Sequence, residues 1–215
     1  MKNQIIVFQG DSITDVGRSR EVEQERRPNS QLGGGYPALV AARLLRDRCC
    51  DSLQFHNRGI SGNRVVDLYA RWRRDALNLR PDIISILIGV NDTWHDNVPG
   101  NPNGVEVPRY ARIYRELLSW TRSALPAVKL VLMEPFVLPF GAVQEHWLAE
   151  MDARRQVVTE LAQEFAAQFV PCQQILNQAC QEMPQEYWLT DGVHPTLAGH
   201  QLLADAWLKH SQELF

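Results

Sequence analysis

The amino-acid sequence predicts a doubly wound α/β fold, in which helices cover both faces of a central parallel sheet. Short apolar segments alternate with longer segments of helical periodicity along the whole chain. The clearest apolar segments, such as residues 83–90, are continuous and contain no alternating polar residues, which is typical of strands buried on both faces. Because parallel neighbours need helical crossovers, and 215 residues suit one core, we expect a single domain over residues 1–215.

Five segments are predicted to be strands, and the clearest covers residues 82–89. This segment is rich in β-branched residues, carries no charge after its first residue and ends at a glycine. The predicted strands are residues 4–9, 52–57, 82–89, 129–136 and 169–172. The predicted helices are residues 36–48, 63–77, 108–125, 145–169, 173–182 and 196–213.

Two long segments, residues 10–35 and 90–107, are predicted to be irregular. Long loops in compact domains are usually functional or mobile. Both segments follow the carboxyl ends of predicted strands, and ligands bind at that edge of an open α/β sheet. We therefore expect functional residues in these two segments.

Charge and composition argue against several classes of protein. The formal net charge of −3 gives no strong field, so neither nucleic acid nor an anionic membrane is an expected partner. The first apolar run, residues 5–8, is too short for a signal-peptide core or a membrane span, so we expect a cytoplasmic protein. The four cysteines lack the spacing of a metal or redox site and are expected to be structural or incidental thiols.

A candidate nucleophile follows the first predicted strand, in the motif Gly-Asp-Ser-Ile-Thr at residues 10–14. Ser12 would project from the carboxyl edge of the sheet, where the turn could expose both its hydroxyl and its backbone N–H. The same three residues, Gly-Asp-Ser, are also ordinary turn formers. Taken alone, this motif leaves both interpretations open.

A candidate base lies near the other end of the chain, in Asp-Gly-Val-His-Pro at residues 191–195. Asp191 precedes His194 by three residues across a glycine, so its carboxylate can fold back to accept from one ring nitrogen. The other ring nitrogen is then free to take a proton from a serine, as a catalytic triad requires. A turn followed by a helix start is the alternative, and both interpretations can hold together.

Acyl transfer also needs hydrogen-bond donors aimed at the developing oxyanion. Gly59 could offer an unobstructed backbone N–H and Asn91 a side-chain amide, although each residue also suits a plain turn. Four turns with serine, glycine, asparagine and Asp-x-x-His at predicted sheet edges are unlikely to coincide by accident. Together they indicate a serine hydrolase.

These four motifs resemble the four sequence blocks of the SGNH hydrolases, also called the GDSL family. The matching residues are Ser12 in Gly-Asp-Ser-Ile, Gly59 in Gly-Ile-Ser-Gly-Asn, Asn91 in Gly-Val-Asn-Asp and His194 in Asp-Gly-Val-His-Pro. The resemblance implies a flavodoxin-like three-layer sandwich with about five parallel strands. It also implies Ser12 as nucleophile, His194 as base and Asp191 as its partner. The implied oxyanion hole consists of the N–H groups of Ser12 and Gly59 and the Asn91 amide, and no metal or other cofactor is implied.

Within this family the motifs are closest to bacterial xylan and xylo-oligosaccharide acetylesterases. The expected substrate is therefore a small-molecule ester with a short acyl group, above all an acetyl ester on a carbohydrate. Several members of that branch carry an aromatic residue directly before the aspartate, where this chain has Thr190, with Trp188 two residues earlier. Trp188 and Trp94, which follows Asn91 by three residues, are candidate substrate-binding residues. Packing in the core is an equally good interpretation of Trp94.

Other assignments rank lower. Ser61 is a rival nucleophile, but its spacing is not that of the nucleophile elbow of α/β-hydrolases, and we expect it to cap a helix or line the site. Asp11 and Asp92 lack the spacing of metal ligands and are expected to brace their turns. A thioesterase or lysophospholipase is the alternative enzyme, and a non-catalytic binding protein the alternative class. Homo-oligomerisation stays open.

Overall fold

The computed structural model describes residues 3–20 and 30–215. The strands are β1 (Asn3–Gly10), β2 (Ser52–Asn57), β3 (Ile83–Leu87), β4 (Lys129–Met133) and β5 (Gln168–Val170). They form one sheet in the order β2-β1-β3-β4-β5, and every pair of neighbours is parallel. This is the strand order of a flavodoxin-like fold, so the predicted α/β class and the number of strands are confirmed.

Helices connect the strands and cover the sheet. They are α1 (Ser12–Asp15), α2 (Tyr36–Asp47), α3 (Val65–Asp75), α4 (Val90–Trp94), α5 (Val107–Ala124), α6 (Glu145–Glu164), α7 (Cys172–Ala179), α8 (Gln185–Trp188) and α9 (Leu197–His210). Short 3₁₀ helices occupy Ser30–Leu32, Leu77–Leu79, His95–Asn97 and Gln212–Leu214. In the part of the chain that the structure describes, no helix is both long and apolar enough to cross a bilayer.

The sheet separates two apolar cores. Phe8 of β1 faces a core that is closed by α2, α7 and α9, whereas Ile84 and Ile86 of β3 face a core closed by α3, α5 and the second half of α6. Burial on both faces is the physical reason for the uninterrupted apolar strands in the sequence. Trp207 of α9 donates its indole N–H to the buried Ser85 Oγ at 2.9 Å, so this polar residue in the sheet is satisfied.

Several predicted boundaries differ from the structure by a few residues, and the largest difference is at the end of α6. The helix predicted over residues 145–169 ends at Glu164, and Ala166 has a left-handed φ of +48°, which no helix continues. The strand predicted over residues 169–172 covers Gln168–Val170 instead. Phe165 and Phe169 both pack against the second core, and so the apolar pattern runs on past the real end of the helix.

The two segments predicted to be irregular contain short helices. Residues 10–35 include α1 and the 3₁₀ turn at Ser30–Leu32, and residues 90–107 include α4 and the 3₁₀ turn at His95–Asn97. Residues 21–29 of the first segment lie outside the described residues. Helices of four or five residues are too short to show a periodicity. Because α1 follows β1 and α4 follows β3, both lie at the carboxyl edge of the sheet, as expected for the functional segments.

Candidate active site

Ser12 is the first residue of α1, directly beyond the carboxyl end of β1. The helix begins there because the Asp11 carboxylate caps it: Asp11 Oδ1 accepts the Ile13 N–H at 3.0 Å. Asp11 is buried, and burial raises its pKa to about 7. The hydrogen bond from Ile13 and the charge of His194 act in the opposite direction and lower that pKa. Ser12 itself is half-buried, so its hydroxyl reaches the surface of the edge.

The loop that carries His194 is held by hydrogen bonds on both sides. Thr190 donates its N–H to the His194 carbonyl at 2.8 Å, and the Leu138 N–H donates to the Gly192 carbonyl at 2.8 Å. Gly192 has a φ of +87°, and a Cβ there would lie 2.3 Å from the Phe140 carbonyl oxygen. Only glycine fits this close approach, and so the glycine between the aspartate and the histidine is a requirement of the loop.

Asp191 holds His194 through both carboxylate oxygens. Oδ2 lies 2.7 Å from the ring Nδ1, while Oδ1 accepts the backbone N–H of His194 at 2.8 Å and that of Val193 at 3.0 Å. Burial raises the pKa of Asp191, but the hydrogen bonds from His194 and Val193 outweigh it and hold that pKa below its ordinary value. The carboxylate therefore stays ionised beside the imidazole.

Ser12 and His194 meet although 182 residues separate them. Ser12 Oγ lies 2.9 Å from His194 Nε2. With Nδ1–H directed at the Asp191 carboxylate, Nε2 carries the lone pair and can accept the serine proton. The structure thus brings the three residues predicted as a triad into one hydrogen-bonded chain, and this arrangement can generate a serine nucleophile.

The two remaining oxyanion candidates differ in their surroundings. Asn91 of α4 is buried, and its Nδ2 donates to the Asn63 carbonyl at 3.2 Å, which uses one of two amide hydrogens. The Gly59 N–H donates to Asn57 Oδ1 at 2.9 Å, so in this structure it already has an acceptor. What requires glycine at position 59 is close packing, because a Cβ there would lie 2.5 Å from the Asp15 backbone nitrogen.

The two tryptophans predicted to bind substrate lie in different places. The Trp94 ring is half-buried, and its centroid lies 5.8 Å from that of His194 and 5.5 Å from that of Trp147. Trp94 therefore both lines the site and packs against the core. Trp188 donates its indole N–H to the Ala179 carbonyl at 3.1 Å and packs edge-on against Tyr187. These contacts direct Trp188 toward α7 and α8 rather than toward the triad.

A cavity of about 390 Å³ opens beside Ser12. Its lining is mostly polar: Ser12, Asp15, Val16, Gly17, Arg18, Arg20 and Ser61. Arg20 Nη2 donates to Asp15 Oδ2 at 3.0 Å, and the same oxygen accepts the Ser61 N–H at 3.1 Å. Ser61 therefore lines the site, as one expectation had it, and does not cap α3, whose N-cap is Arg64.

Several residues around the site were not identified from the sequence. Arg18 is buried and donates its Nε to the Gly59 carbonyl at 2.7 Å, which joins α1 to the Gly59 turn. His200 is buried and its Nδ1 accepts the Tyr36 N–H at 3.3 Å; burial and the charge of His194 lower its pKa to about 4. Arg154 of α6 is fully buried beneath α4. Charged residues on helices resemble solvent-exposed residues in the sequence, so no local signal identified these contacts.

Asp11 and Asp92 brace their turns, as predicted. Both Asp92 carboxylate oxygens accept the Val65 N–H, at 3.1 and 3.2 Å, and so tie α4 to the start of α3. Burial raises the pKa of Asp92 to about 7, while the charge of Arg154 and the Val65 N–H act in the opposite direction. Two buried carboxyl groups with raised pKa values therefore lie beneath the site.

Comparison with known proteins agrees with this geometry. Residues 8–202 match the GDSL-like lipase/acylhydrolase family. The chain is 36% identical over 207 residues to the acetylxylan esterase of Geobacillus stearothermophilus, covering 95% of this chain and 92% of the esterase.

Solved structures show the same likeness. A GDSL-like lipase from Parabacteroides merdae superposes with a TM-score of 0.92 at 41% identity. The superposition covers 100% of this chain and 97% of the lipase chain. The crystal structure of the Geobacillus esterase gives a TM-score of 0.87 at 35% identity, with 97% and 94% coverage. Two further structures of that esterase are of catalytic mutants, in which an aspartate or a histidine is replaced by alanine.

Proposed function

The chain belongs to the GDSL-like lipase/acylhydrolase family and is a carboxylic ester hydrolase, and on this premise we propose that it is a serine acetylesterase acting on acetylated carbohydrate such as xylo-oligosaccharides. One observation carries the chemical part of the proposal. Ser12 Oγ lies 2.9 Å from His194 Nε2, and His194 Nδ1 lies 2.7 Å from Asp191 Oδ2. These distances are those of a nucleophile, its base and the group that orients the base.

In the first half of the proposed reaction, Ser12 Oγ attacks the ester carbonyl carbon while His194 Nε2 takes the hydroxyl proton. The Asp191 carboxylate stabilises the imidazolium that forms. When the tetrahedral intermediate collapses, the imidazolium gives its proton to the leaving sugar oxygen, and the acyl group stays on Ser12. In the second half, His194 takes a proton from water, whose oxygen attacks the acyl carbonyl carbon. When this second tetrahedral intermediate collapses, the imidazolium gives the proton to Ser12 Oγ, and acetate and the free serine hydroxyl are released.

The developing oxyanion needs donors that are already in place. The backbone N–H of Ser12 lies in the first turn of α1, where amide groups lack a carbonyl partner within the helix. Asn91 has a second amide hydrogen beyond the one given to Asn63. We assign these two groups as the main donors, and Gly59 as the residue whose lack of a side chain lets its turn pack against α1. A direct role for the Gly59 N–H would require it to share or leave Asn57 Oδ1.

Two observations support a carbohydrate substrate. The relative at 36% identity is an acetylxylan esterase, and the cavity beside Ser12 has charged and hydroxyl side chains on most of its wall. Such a wall offers many hydrogen bonds to a sugar, and an acyl chain lying on it would cover charged groups. The Trp94 ring beside His194 adds a face on which a sugar ring could lie. These features favour an acetylesterase over a lysophospholipase or thioesterase.

The experiment that tests the proposal compares the Ser12→Ala and Ser61→Ala variants on p-nitrophenyl acetate and on acetylated xylo-oligosaccharides. Loss of the nucleophile should lower kcat by about 10⁴-fold or more. Ser61 lines the same cavity, so Ser61→Ala is the matched control and should keep most of its activity on the aryl ester. Circular dichroism should show both variants folded. Near-normal activity of Ser12→Ala would overturn the assignment, and full loss in Ser61→Ala alone would make Ser61 the nucleophile.

A further inference from the structure

Arg154 is a guanidinium with no exposed surface, in the middle of α6. A buried charge is costly unless its donors are paired. Its Nε donates to Thr93 Oγ1 at 2.9 Å and its Nη2 to the Val105 carbonyl at 2.6 Å. Nη2 also pairs with the Glu150 carboxylate, one turn earlier on the same helix. Two of these three partners belong to the segment that contains Asn91.

The bonds from Arg154 close that segment into a loop. Thr93 lies in α4, two residues after Asn91, whereas Val105 is at the far end of the same segment. The Val105 N–H donates to the Asp92 carbonyl at 2.9 Å. Arg154 therefore binds Val105 itself and Thr93, the residue after Asp92, on the two sides of this hydrogen bond. The guanidinium binds the Thr93 hydroxyl and the Val105 carbonyl through two different nitrogens of one rigid plane, an arrangement that a lysine ammonium cannot copy.

The chain on the other side of Asn91 is held through Tyr110. The Arg154 guanidinium carbon lies 5.0 Å from the centroid of the Tyr110 ring, within the range of a cation–π contact. Tyr110 in turn donates its hydroxyl to the Ile88 carbonyl at 2.9 Å. Asn91 therefore lies between two anchored points, Ile88 before it and Thr93 after it. Arg154 binds the Thr93 side chain directly and reaches the Ile88 carbonyl through the Tyr110 ring.

We propose that Arg154 is a positioning residue that holds the Asn91 amide in place for the transition state. The inference rests on the proposed role of Asn91 as an oxyanion donor. A preorganised donor stabilises the oxyanion only if it lies in position before the charge develops. A small misplacement of such a group lowers the rate of the chemical step much more than it lowers the binding of substrate. Arg154 contacts no reacting atom, so its whole effect on catalysis is expected to pass through Asn91.

The test is a double-mutant cycle of Arg154→Lys and Asn91→Ala, with p-nitrophenyl acetate as substrate. Lysine keeps the charge but cannot donate to Thr93 and Val105 together. In the native background, Arg154→Lys should lower kcat about tenfold with little change in KM. In the Asn91→Ala background the same substitution should change kcat by less than about twofold, because the group it positions is gone.

The matched control is Arg122→Lys. Like Arg154, Arg122 bridges two separate segments, donating to the carbonyls of Val128 and Phe165, but it does so at the end of α5, near the amino edge of the sheet. This control should lower the thermal midpoint without lowering kcat. If Arg154→Lys does not fold, Thr93→Val removes the acceptor of Nε at nearly constant volume, and the same cycle is run with it.

The outcomes separate the two proposals. If Asn91→Ala lowers kcat, but Arg154→Lys lowers kcat by the same factor in both backgrounds, Arg154 has a general structural role and the inference is wrong. An Arg154→Lys enzyme with normal kcat and a lower thermal midpoint overturns it as well. If Asn91→Ala itself leaves kcat unchanged, the donor role of Asn91 fails, and the inference about Arg154 fails with it.

Discussion

His194 and Asp191 are joined twice, by the ring Nδ1 at 2.7 Å from Oδ2 and by the backbone N–H at 2.8 Å from Oδ1. One carboxylate thus sets both the ring orientation of His194 and the shape of the loop that carries it. The Val193 N–H adds a third bond to the same group. These bonds keep the pKa of Asp191 low although burial acts to raise it. Asp191 thus has two roles, to hold the loop and to place a negative charge beside the imidazole. Substitution by asparagine distinguishes them, because an amide can keep the loop bonds but not the charge.

Asp191→Asn should lower kcat by about 10³-fold or more while the protein stays folded. The asparagine oxygen can still accept the backbone N–H groups of Val193 and His194. Its NH₂ would face the ring and favour the tautomer with the proton on Nε2, which cannot accept from Ser12. The measurements are kcat on p-nitrophenyl acetate and the thermal midpoint. Asp191→Ala, which also loses the loop bonds, should show the lower midpoint of the two, and an unchanged kcat in Asp191→Asn would contradict the assigned role.

Asp11→Asn should reduce the loss of stability between pH 5 and pH 8. The pKa of Asp11 is about 7 in the folded protein and 3.8 for an ordinary aspartate, so the native state holds a proton that the unfolded state has released. The contribution of Asp11 to the free energy of unfolding is therefore full below the pKa of Asp11 in the unfolded state. It is lost as pH rises through the pKa of Asp11 in the folded state. The effect is on the order of a few kcal/mol, at about 1.4 kcal/mol per pKa unit.

Asparagine keeps the oxygen that caps α1 but cannot ionise, so the comparison isolates the titration of Asp11. The measurement is urea unfolding of the native protein and the variant at several pH values. Some slope should remain in Asp11→Asn, since the pKa of Asp92 is also raised to about 7. Asp205→Asn, at an exposed position on α9, is the control and should leave the slope unchanged. Equal slopes in the native protein and Asp11→Asn would show that Asp11 does not titrate as described.

Esterase activity should fall on the acid side because a protonated His194 cannot accept from Ser12. His200 does not produce this limb between pH 5 and 8, because its pKa is lowered to about 4. The pKa values of Asp11 and Asp92 are both raised to about 7, so Asp11→Asn tests whether Asp11 produces the limb, and Asp92→Asn tests the same for Asp92. The acid limb of kcat/KM should persist in Asp11→Asn. Its disappearance there would assign the limb to Asp11.

The sequence predicted the parts of this site that depend on local motifs. Ser12, Asp191 and His194 each lie in a turn whose residue types suit both its backbone and its chemistry, and the structure brings them together. The shared sheet edge of Ser12 and Asn91 follows from the strand order, since the carboxyl ends of β1 and β3 are neighbours. The alternation of strands and helices was sufficient to predict which edge of the sheet carries these residues. Errors of a few residues at the ends of elements did not change that prediction.

The contacts between turns could not be predicted in this way. The acceptor of the Gly59 N–H is a side chain two residues earlier, and a plain turn and an oxyanion donor look alike in sequence. Arg154 lies on a helix among charged residues, and only the packing of α6 under α4 shows that it is buried. Trp188 is close to Asp191 in sequence, but its indole is bound to the end of α7. The contacts of Arg154 and Trp188 depend on packing between elements, which the periodicity of the sequence does not show.

Arg20→Ala should raise KM for acetylated xylo-oligosaccharides several-fold and leave KM for p-nitrophenyl acetate nearly unchanged. Arg20 lines the cavity beside Ser12 with a side chain that is 58% exposed and tethered to Asp15. Its remaining donors face a substrate that fills the cavity, whereas a small aryl ester has no hydroxyl groups for them. Arg112→Ala, on the exposed face of α5, is the control. Equal changes in KM for both substrates would show that Arg20 does not recognise the sugar.

Acetyl esters should be hydrolysed with a kcat/KM at least about tenfold higher than octanoyl esters. Each additional methylene contributes about 0.8 kcal/mol to binding only if it leaves water for an apolar surface. Among the described residues of the wall beside Ser12, Val16 is the one with an apolar side chain, and it lies among Asp15, Arg18 and Arg20. A long chain pressed on that wall would desolvate charged groups without replacing their hydrogen bonds, which costs free energy. The ester carbonyl itself is the same in every case, so the difference must come from this wall.

The measurement is kcat/KM for p-nitrophenyl acetate, butanoate and octanoate below their aggregation limits. Each value is divided by the rate of hydroxide-catalysed hydrolysis of the same ester, which removes differences in intrinsic reactivity. The normalised values should fall from acetate to octanoate. Because Ser12 and His194 act on all three esters alike, Ser12→Ala should lose activity on each of them. Normalised values that rise with chain length would instead mean that an apolar surface outside this cavity binds the acyl chain, and would favour the lysophospholipase or thioesterase alternative.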